Sequence, residues 1–308
     1  MPRVAFLINP AAGGGRAARR VPPVIERLRR NGVEVEALTG TDARDALRLA
    51  NRAVHSGVDA LIAAGGDGSV NLAVQAIGDS GTTLGIIPLG TGNDNARSFG
   101  LPRDPLAAAD VIRDGHTRLV DVGVATTADG SERRFTGVLS SGFDSQVNER
   151  ANRMSFPRGR AKYLVAIVGQ LATFRPTHYD VSISEGIESV SGLGMLVAVG
   201  NGPAYGGGML VCPAAEVSDG LLHITFLHEV GTPTFLRILP TVFSGNHIKH
   251  SSVSVHSGKS VRVAAVDQLA YADGERIGPL PVDIALLPKN LRIFIPAPIT
   301  ASSESRPG

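Results

Sequence analysis

In the N-terminal part of the chain, short apolar runs alternate with segments in which apolar residues recur at helical spacing. The apolar runs predict strands at 4–8, 33–38, 59–63 and 84–87. The periodic segments predict helices at 24–30, 42–56 and 69–77. Because strands that alternate with helices form a parallel sheet covered on both faces, we predict a doubly wound α/β domain at 1–121.

Beyond residue 121 the pattern changes to short segments in which apolar and polar residues alternate, which is typical of half-buried strands. Such segments lie at 181–184, 193–199, 221–226, 253–255, 261–265 and 291–295. They predict an antiparallel β-sandwich domain at 122–299, interrupted by one helix near 161–174. The last residues, 300–308, have the composition of a flexible tail.

The composition is that of a folded α/β protein, with 43% hydrophobic residues and 37 glycines among 308 residues. A net charge of only +2 argues against a nucleic-acid partner. The single cysteine, Cys212, excludes an intramolecular disulfide and favours a cytoplasmic location. No apolar run approaches the ~20 residues of a spanning helix, so contact with a membrane is expected only at its surface.

Positive charge is concentrated at 149–175, where six basic residues and one acidic residue give a local charge of +5. Beside the predicted helix, this basic segment could dock on anionic lipid, where each basic residue contributes ~1 kcal/mol. A solvated face of a core helix explains the same charges equally well.

The segment LIAAGGDGSVNLAVQAI, from Leu61 to Ile77, joins a buried strand to a helix through a glycine turn, with Ser69 as the expected N-cap. Glycines let backbone N–H groups approach phosphate oxygens, and the helix dipole favours their negative charge. A carboxylate at Asp67 would repel phosphate unless a metal ion bridges them or the carboxylate takes up a proton. The turn therefore predicts phosphoryl transfer; a tight turn with an incidental Asp is the simpler alternative.

Two further glycine-rich loops, at 9–15 and 88–94, follow the first and fourth predicted strands. Asn9 offers an amide and Thr91 a hydroxyl to a nucleotide, and Asn93 is expected to cap the next helix. Loops that follow parallel strands meet at one edge of the sheet, where ligands of such folds bind. Their convergence is a stronger signal than any one loop.

Two Asp-Gly turns carry carboxylates in the β-rich part of the chain. Asp219, before Gly220, belongs either to a hairpin turn or, with loop carbonyls, to a Mg²⁺ site. Asp273 and Glu275 flank Gly274 and could both project in one direction, which suits a general base, although a polar hairpin tip is the alternative. The GxxxxGK[ST] phosphate-binding loop is missing from the sequence. The HRD and DFG motifs are missing too, which excludes a protein-kinase mechanism.

Six motifs occur in order along the chain: NPAAGGG, GGDGSVN, GIIPLGTGNDNARSFGLP, SGFDSQV, NGPAYGGGMLVCPAAEVSDGLL and DGE. Together they resemble the diacylglycerol kinase catalytic-domain superfamily, which includes bacterial soluble diacylglycerol kinases and sphingosine kinases. The GGDG turn is also shared with phosphofructokinases and NAD kinases, so the ordered set carries the resemblance. It implies that ATP binds in the cleft between an α/β domain and a β-sandwich domain.

The resemblance also implies which residues act. Its nucleotide-binding segments match Asn9, Pro10, Ala11, Ala12, Gly13, Gly65, Gly66, Asp67, Gly68, Ser69, Val70, Asn71, Leu72 and Thr91, together with Thr39, for which Thr41 is the alternative. A structural Mg²⁺ site matches Asp219, with the backbone near Glu216 and Leu221. Glu275 matches the proposed proton acceptor, and Asp67 the essential acid of the nucleotide loop.

Four residues depart from the family pattern. Ser69 keeps the hydroxyl of the usual threonine, whereas Leu72 replaces a glutamate and Ala12 replaces a serine. Asn95 stands where an aromatic residue is common. Because none of these changes removes a catalytic carboxylate, we expect an active enzyme with altered nucleotide handling.

The sequence thus predicts an ATP- and Mg²⁺-dependent lipid kinase that phosphorylates a lipid hydroxyl, most simply that of diacylglycerol to give phosphatidic acid. Glu275, helped by Asp273, is expected to accept the hydroxyl proton. One alternative is a member that binds nucleotide or lipid without transfer, and another is a kinase of a soluble substrate that resembles NAD kinase. The lipid alcohol is expected at the inner face of the membrane, and a homodimer through an exposed β edge is a further alternative.

Overall fold

The computed structural model describes residues 2–143, 174–184 and 188–297. The predicted helix at 161–174, most of the basic segment 149–175 and the predicted tail 300–308 lie outside these residues. No helix in the described part of the chain is long and apolar enough to cross a membrane.

The N-terminal part of the fold is a parallel sheet with helices around it. Its strands are β1 (Arg3–Ile8), β2 (Glu34–Thr39), β3 (Ala60–Gly65) and β4 (Thr83–Pro88). They pair in the order β2-β1-β3-β4, and every pair is parallel. The helices are α1 (Ala12–Gly15), α2 (Ala17–Arg30), α3 (Ala43–His55), α4 (Asp67–Ile77), α5 (Asp94–Ser98) and α6 (Pro105–Asp114).

Alternate side chains of β1 enter two different hydrophobic cores. Val4 and Phe6 pack in a cluster that includes residues of α2 and α6. Ala5 and Leu7 pack in a second cluster with residues of α3 and α4. Successive side chains of a strand point to opposite faces of its sheet, so helices cover both faces here. The predicted doubly wound arrangement is confirmed.

The C-terminal part is an antiparallel, sandwich-like β structure. Its strands are β5 (Thr117–Thr127), β6 (Glu132–Phe135), β7 (Val138–Gly142), β8 (Thr177–Ile183), β9 (Glu188–Gly200), β10 (Leu222–His228), β11 (Val253–Gly258), β12 (Ser260–Ala264), β13 (Leu269–Ala272), β14 (Glu275–Pro279) and β15 (Val282–Phe294). One α-helix, α7 (Thr232–Ile238), and two 3₁₀ helices, Leu239–Ser244 and Asn246–Lys249, lie between β10 and β11. Phe135, Tyr179 and Phe226 are fully buried in its core. This architecture confirms the predicted second fold type.

A single strand joins the two parts. β15 pairs antiparallel with β5 over most of its length and meets β4 in parallel at Ile293 and Leu84. Beside this junction, the buried carboxylate of Asp121 accepts hydrogen bonds from the N–H groups of Gly220 (2.8 Å) and Lys289 (2.7 Å). β5 itself runs unbroken through the predicted boundary at residue 121.

The structure corrects the predicted start of the second helix. α2 begins at Ala17 and not at Val24, although Pro22 and Pro23 lie inside it. Its buried residues, Ala17, Val21, Val24 and Leu28, form one continuous stripe at helical spacing against the sheet. Burial of this stripe offsets the free-energy cost of placing two prolines inside the helix. The strands β5, β6, β7 and β14 and the helices α1, α6 and α7 were not predicted.

Candidate active site

The loops that follow β1, β3 and β4 enclose a cleft of about 310 Å³ at the carboxyl edge of the parallel sheet. The cleft is lined by Asn9, Ala12, Gly13, Gly66, Asp67, Gly68, Ser69, Gly90, Thr91 and Gly92. The three glycine-rich loops of the sequence therefore meet at one place. Gly90 and Gly92 were not among the predicted site residues, although the GTGND motif that contains them was a signal for both.

The loops approach each other so closely that a side chain would not fit at their crossing. A Cβ atom on Gly90 would lie 2.6 Å from the Gly66 Cα atom. One on Gly13, whose φ is +61°, would lie 2.5 Å from the carbonyl oxygen of Leu89. Glycine is required here by contact and by conformation, and it leaves the loop backbones open to a ligand.

The N-terminus of α4 faces this cleft. The helix begins at Asp67 with Gly66 as its N-cap, so the predicted cap at Ser69 is wrong. The flexible glycines let the chain enter the helix earlier, and Ser69 lies buried within the first turn. The N–H groups at the start of a helix have no acceptor within it and carry partial positive charge. Since Asp67 is the one charged residue among the described residues that line the cleft, backbone groups would bind an anion there.

Asp67 is held in place by Asn95. Its Oδ1 atom accepts hydrogen bonds from the backbone N–H (2.9 Å) and the side-chain Nδ2 (3.3 Å) of Asn95. The Oδ1 atom of Asn95 in turn accepts a bond from the buried Thr136 hydroxyl at 2.6 Å. The essential acid of the predicted nucleotide loop is thus connected through Asn95 to the β-rich part of the chain.

The hairpin between β13 and β14 brings two more carboxylates to the same site. Its turn residues, Asp273 and Gly274, both have positive φ, as two-residue hairpin turns require. The exposed Glu275 reaches the GGDG turn: its Oε1 atom lies 3.5 Å from the position that a Cβ atom on Gly68 would take. The segment 273–275 is therefore a polar hairpin tip, as one alternative had it, and it also faces the cleft.

Asp273 is directed differently from Glu275. Its carboxylate accepts hydrogen bonds from the N–H groups of Thr136 and Gly137, each at 3.0 Å. Burial, with a further contribution from the charge of Asp67, raises the pKa of Asp273 to about 6 despite these bonds. Asp273 thus anchors the hairpin to the β6–β7 turn, whereas Glu275 faces the cleft.

A fourth carboxylate, that of Asp94, lies next to Asp67 at the start of α5. It accepts a hydrogen bond from the N–H of Gly207 at 2.6 Å and pairs with Arg97. Burial raises the pKa of Asp94, and the nearby charge of Asp67 adds to the shift. The hydrogen bond between Gly207 and Asp94 joins the glycine-rich stretch 206–208 to the loop that follows β4.

The charge of Asp67 contributes, after burial, to the raised pKa values of its two neighbouring carboxylates, Asp94 and Asp273. No group of three acidic, histidine or cysteine side chains among the described residues could hold a metal ion by itself. Mg²⁺ is commonly held by one or two carboxylates together with substrate phosphates and water. The oxygen donors at Asp67 therefore fit a Mg²⁺ ion that arrives with a polyphosphate.

Several residues of the predicted nucleotide set lie away from the cleft. Val70 and Leu72 pack in the hydrophobic core, and the Asn71 amide donates to the Arg134 carbonyl. Pro10, Ala11 and Gly65 are not among the residues that line the cleft, although Gly65 leaves room for the Ser69 side chain.

The structure distinguishes the two candidate threonines after the second strand. The hydroxyl and the N–H of Thr41 both approach the Asp45 carboxylate, at the start of α3. Thr39 is exposed at the end of β2 and pairs in register with Ile8, the residue before Asn9. Thr39 therefore lies nearer to the first loop in the sheet, although it does not line the cleft.

The sequence predicted that the side chain of Asn93 caps α5. In the structure this side chain makes no capping hydrogen bond. Its amide instead accepts from the N–H of Gly90 and donates to the Gly90 carbonyl, both at 2.9 Å. Asn93 itself has a φ of +54°, a conformation that Asn tolerates better than most residues. Asn93 thus closes the loop around Thr91 rather than the helix.

The predicted Mg²⁺ ligand Asp219 has two partners of its own. Its Oδ1 atom accepts from the N–H of Leu221 at 2.9 Å, and its Oδ2 atom lies 2.8 Å from Nε2 of His223. The Glu216 carbonyl accepts from the N–H groups of Ser218 and Asp219. In this arrangement the residues form a hydrogen-bonded turn, and a Mg²⁺ ion bound to Asp219 would share its carboxylate with the His223 ring.

Comparison with known proteins finds diacylglycerol kinases that are similar to this chain over nearly its whole length. A diacylglycerol kinase from Mycobacterium tuberculosis (strain CDC 1551 / Oshkosh) is 42% identical, over 96% of this chain and 95% of that protein. A diacylglycerol kinase from Staphylococcus epidermidis (strain ATCC 35984) is 30% identical, over 96% of this chain and 92% of that protein.

Two solved structures share the fold. The crystal structure of a diacylglycerol kinase from Bacillus anthracis str. Sterne has a TM-score of 0.75 at 23% identity, covering 96% of each chain. An NAD kinase from Archaeoglobus fulgidus in complex with ATP has a TM-score of 0.54 at 12% identity, covering 95% of this chain and 92% of that one.

Family matches divide the chain into two consecutive segments. The diacylglycerol kinase catalytic domain matches residues 3–125. The YegS C-terminal NAD kinase beta sandwich-like domain matches residues 137–295. The chain belongs to the diacylglycerol kinase family.

Proposed function

We propose that this protein is an ATP- and Mg²⁺-dependent lipid kinase that transfers the γ-phosphoryl group of ATP to the hydroxyl of diacylglycerol, giving phosphatidic acid. The observation that carries the proposal is the meeting of Glu275, from the far end of the chain, with the GGDG turn at the cleft. The relatives named diacylglycerol kinase support the choice of acceptor.

The triphosphate of ATP would lie along the three glycine-rich loops. Their backbone N–H groups and the N-terminus of α4 would bind its oxygens, and Thr91 offers a hydroxyl at the same cleft. Asp67, oriented by Asn95, would hold Mg²⁺ beside the phosphates. When bound, Mg²⁺ supplies positive charge that neutralises the phosphate oxygens as the phosphoryl group is transferred.

Glu275 would accept the proton of the attacking hydroxyl. Its exposed carboxylate lies beside the start of α4, so an acceptor that enters over the hairpin is placed between this base and the phosphates. Asp273 would hold the hairpin in position through the backbone of Thr136 and Gly137. Positioning and electrostatic stabilisation then provide most of the rate enhancement, as in other phosphoryl transfers.

The test is transfer of labelled γ-phosphate from ATP·Mg²⁺ to diacylglycerol in mixed micelles, with wild type and Glu275→Gln compared. Loss of a general base lowers turnover by a factor on the order of 10² to 10⁴, so the variant should form almost no phosphatidic acid. Glu132→Gln, which removes an exposed carboxylate from β6, serves as the matched control and should keep wild-type turnover.

Each other outcome selects a different interpretation. Equal turnover in wild type and Glu275→Gln would reject Glu275 as the base. Phosphorylation of NAD without phosphorylation of diacylglycerol would show that the protein acts like an NAD kinase and would reject the lipid-kinase proposal. ATP binding with no transfer to either acceptor would indicate a regulatory member of the family.

A further inference from the structure

The helical segment after β10 exposes large apolar side chains to solvent. Leu236 on α7 is 48% exposed, and Phe243 on the first 3₁₀ helix is 53% exposed. Phe235 and Ile238, which neighbour Leu236, are only 4% and 6% exposed. One side of this segment is therefore buried in the protein, and the other presents apolar groups to the surroundings.

The exposed side chains lie on one side of the segment. Leu236, Pro240 and Phe243 follow one another at spacings of four and three residues, in a stretch that is helical from Thr232 to Ser244. Residues at such spacings lie above one another on a helix. Leu236, Arg237, Pro240, Phe243 and Lys249, all exposed, are named the α7 surface below.

The stretch of chain that contains the α7 surface carries charge of a single sign. The sequence has no Asp or Glu between Glu229 and Asp267. Arg237 and Lys249 are both exposed, and no acidic residue of that stretch offsets their charge. Apolar side chains beside basic ones, without acids, are complementary to a bilayer that contains anionic lipids.

The α7 surface is also adjacent to the candidate active site. The carbonyl of Val242, next to Phe243, accepts a hydrogen bond from the N–H of Leu210 at 3.0 Å. Leu210 follows the glycine stretch in which Gly207 donates to Asp94, beside the cleft. A bilayer in contact with the α7 surface would therefore be one loop away from the residues proposed to act on a lipid hydroxyl.

We propose that the α7 surface docks the protein on an anionic bilayer, with Leu236 and Phe243 inserted among the lipids and Arg237 and Lys249 against their headgroups. The proposal rests on the proposed function, because it explains how a protein with this cleft reaches a lipid substrate. The buried side of the segment is packed against the protein: Phe235 contacts Phe143 edge-on, with ring centroids 4.6 Å apart.

The first experiment measures binding of the full-length protein to sedimented vesicles. Wild type and the double variant Leu236→Ser/Phe243→Ser are compared on vesicles of equal parts phosphatidylglycerol and phosphatidylcholine. Loss of two inserting side chains should weaken binding at least ~tenfold. The matched control is Leu106→Ser on α6, which removes a 38% exposed leucine from the other part of the fold and should bind like wild type.

A second pair of variants tests the charges. Arg237→Gln/Lys249→Gln should weaken binding to the anionic vesicles roughly 25-fold, since each basic residue at such a surface contributes about a fivefold effect. Binding to vesicles of phosphatidylcholine alone should not change between this variant and wild type. Added salt should reduce the difference, because it screens exposed charges.

A parallel assay separates failure of this proposal from failure of the proposed function. Phosphorylation of a short-chain, water-soluble diacylglycerol needs the cleft but no bilayer, so both double variants should retain it. If no variant and no wild-type sample phosphorylates that substrate while vesicle binding follows the expected pattern, the proposed function fails and the docking surface stands.

Three results would overturn the docking surface. The first is wild-type protein that does not bind the anionic vesicles. The second is a Leu236→Ser/Phe243→Ser variant that binds them as wild type does. The third is a Leu236→Ser/Phe243→Ser variant that sediments without lipid as a monomer where wild type sediments as a dimer, and that binds vesicles as wild type does. This result would assign the surface to contact with a second copy of the chain.

Discussion

At the scale of single residues, Asn95 is the side chain whose role differs most from the sequence expectation. The resemblance marked it as a departure, since an aromatic residue is common at this position. In the structure it is 4% exposed and its amide contacts both Asp67 and the hydroxyl of Thr136. A side chain without hydrogen-bonding groups would leave both of these buried or half-buried groups with one partner fewer.

Replacement of Asn95 by Ala should therefore affect turnover and stability together. Asp67 keeps the backbone N–H of residue 95 but loses the amide, so its carboxylate is less well positioned, and kcat should fall on the order of 10- to 100-fold. The KM for ATP should change little. The orphaned Thr136 hydroxyl should cost about 1–3 kcal/mol of unfolding free energy, measured by urea denaturation.

Thr136→Val separates the two effects of Asn95. This variant removes the same hydrogen bond from its other end, so it should lose comparable stability while Asp67 keeps both bonds from Asn95. Its kcat should stay close to that of wild type. If the kcat of Asn95→Ala is no lower than that of Thr136→Val, Asn95 has only a structural role.

The other departures from the family pattern are explained by packing. Leu72 is partly buried against the core that α3 and α4 form, so its side chain is directed away from the cleft. Ala12 is buried in the opposite core, beneath the first loop. These apolar residues stabilise the elements that position the loops, and the polar side chains that line the cleft are those of Asn9, Asp67, Ser69 and Thr91.

At the scale of elements, the active-site cleft depends on contact between two loops. The loop after β3 and the loop after β4 cross at Gly66 and Gly90 without intervening side chains. The N–H of Gly90 also donates to the Gly65 carbonyl at 3.2 Å and to the Asn93 side chain at 2.9 Å. The relative position of α4 and Thr91 is therefore fixed by backbone contact.

Gly90→Ala should separate these loops. Its Cβ atom would lie 2.6 Å from the Gly66 Cα atom, and backbone cannot move aside as a flexible side chain can. We expect a loss of about 1–3 kcal/mol in unfolding free energy, as for other overpacked sites. We also expect ATP binding to weaken by about tenfold or more, equivalent to ~1.4 kcal/mol, in a calorimetric titration.

Gly231→Ala is the control for this prediction. Gly231 has a φ of −65°, and the nearest atom to its Cβ position is 3.8 Å away, so alanine fits there. Its ATP affinity should match that of wild type, and its stability should fall by less than about 1 kcal/mol, because alanine is a poorer N-cap for α7 than glycine. Unchanged ATP affinity in Gly90→Ala would show that the loop crossing does not shape the nucleotide site.

At the scale of the whole molecule, the two parts of the fold are joined by buried polar contacts as well as by β15. Asp121 binds the N–H groups of two segments far away in sequence, at Gly220 and Lys289. Asn201, also fully buried, donates to the carbonyls of Asp121 (3.1 Å) and Thr136 (2.9 Å). These contacts hold together segments that are far apart in sequence, so the position of the β-rich part beside the cleft depends on all of them.

The pH dependence of global stability should reflect the half-buried Asp273. Burial raises its pKa in the folded chain to about 6, from 3.8. Between these values the folded chain binds more protons than the unfolded chain, so its contribution to the unfolding free energy falls as pH rises from about 4 to about 6. Above about pH 6 the carboxyl is ionised in both states, and this contribution becomes constant.

Urea denaturation of wild type and Asp273→Asn, without nucleotide or Mg²⁺, measures this contribution. The variant loses one of two acceptor atoms for backbone N–H groups and should be less stable than wild type at every pH. The difference in stability should be larger near pH 4.5 than near pH 7, because wild type is relatively more stable at the lower pH. A difference that is the same at both pH values would contradict the raised pKa.

Much of this fold could be predicted from local patterns. The runs at β1, β3 and β4 are apolar because helices bury both faces of the sheet, and glycines mark the ends of the strands. The start of α2 was predicted seven residues too late because the stretch AAGGGRAARR was assigned to a loop, whereas the buried stripe begins at Ala17 and continues past Pro22 and Pro23. The strand β6, ERRF, gave no alternating signal because it is short and mostly charged.

The sequence by itself determined the parallel sheet, the edge at which its loops gather and the residue types that suit phosphate, since each depends on neighbours along the chain. Only the tertiary structure decided that Glu275 faces the GGDG turn, that Asp273 binds the backbone of Thr136, and that His223 stands at Asp219. Those contacts join residues whose proximity depends on strand pairing and packing in the folded chain. A local pattern records which groups a segment carries, whereas the partner that each group meets is set by the free energy of the whole fold.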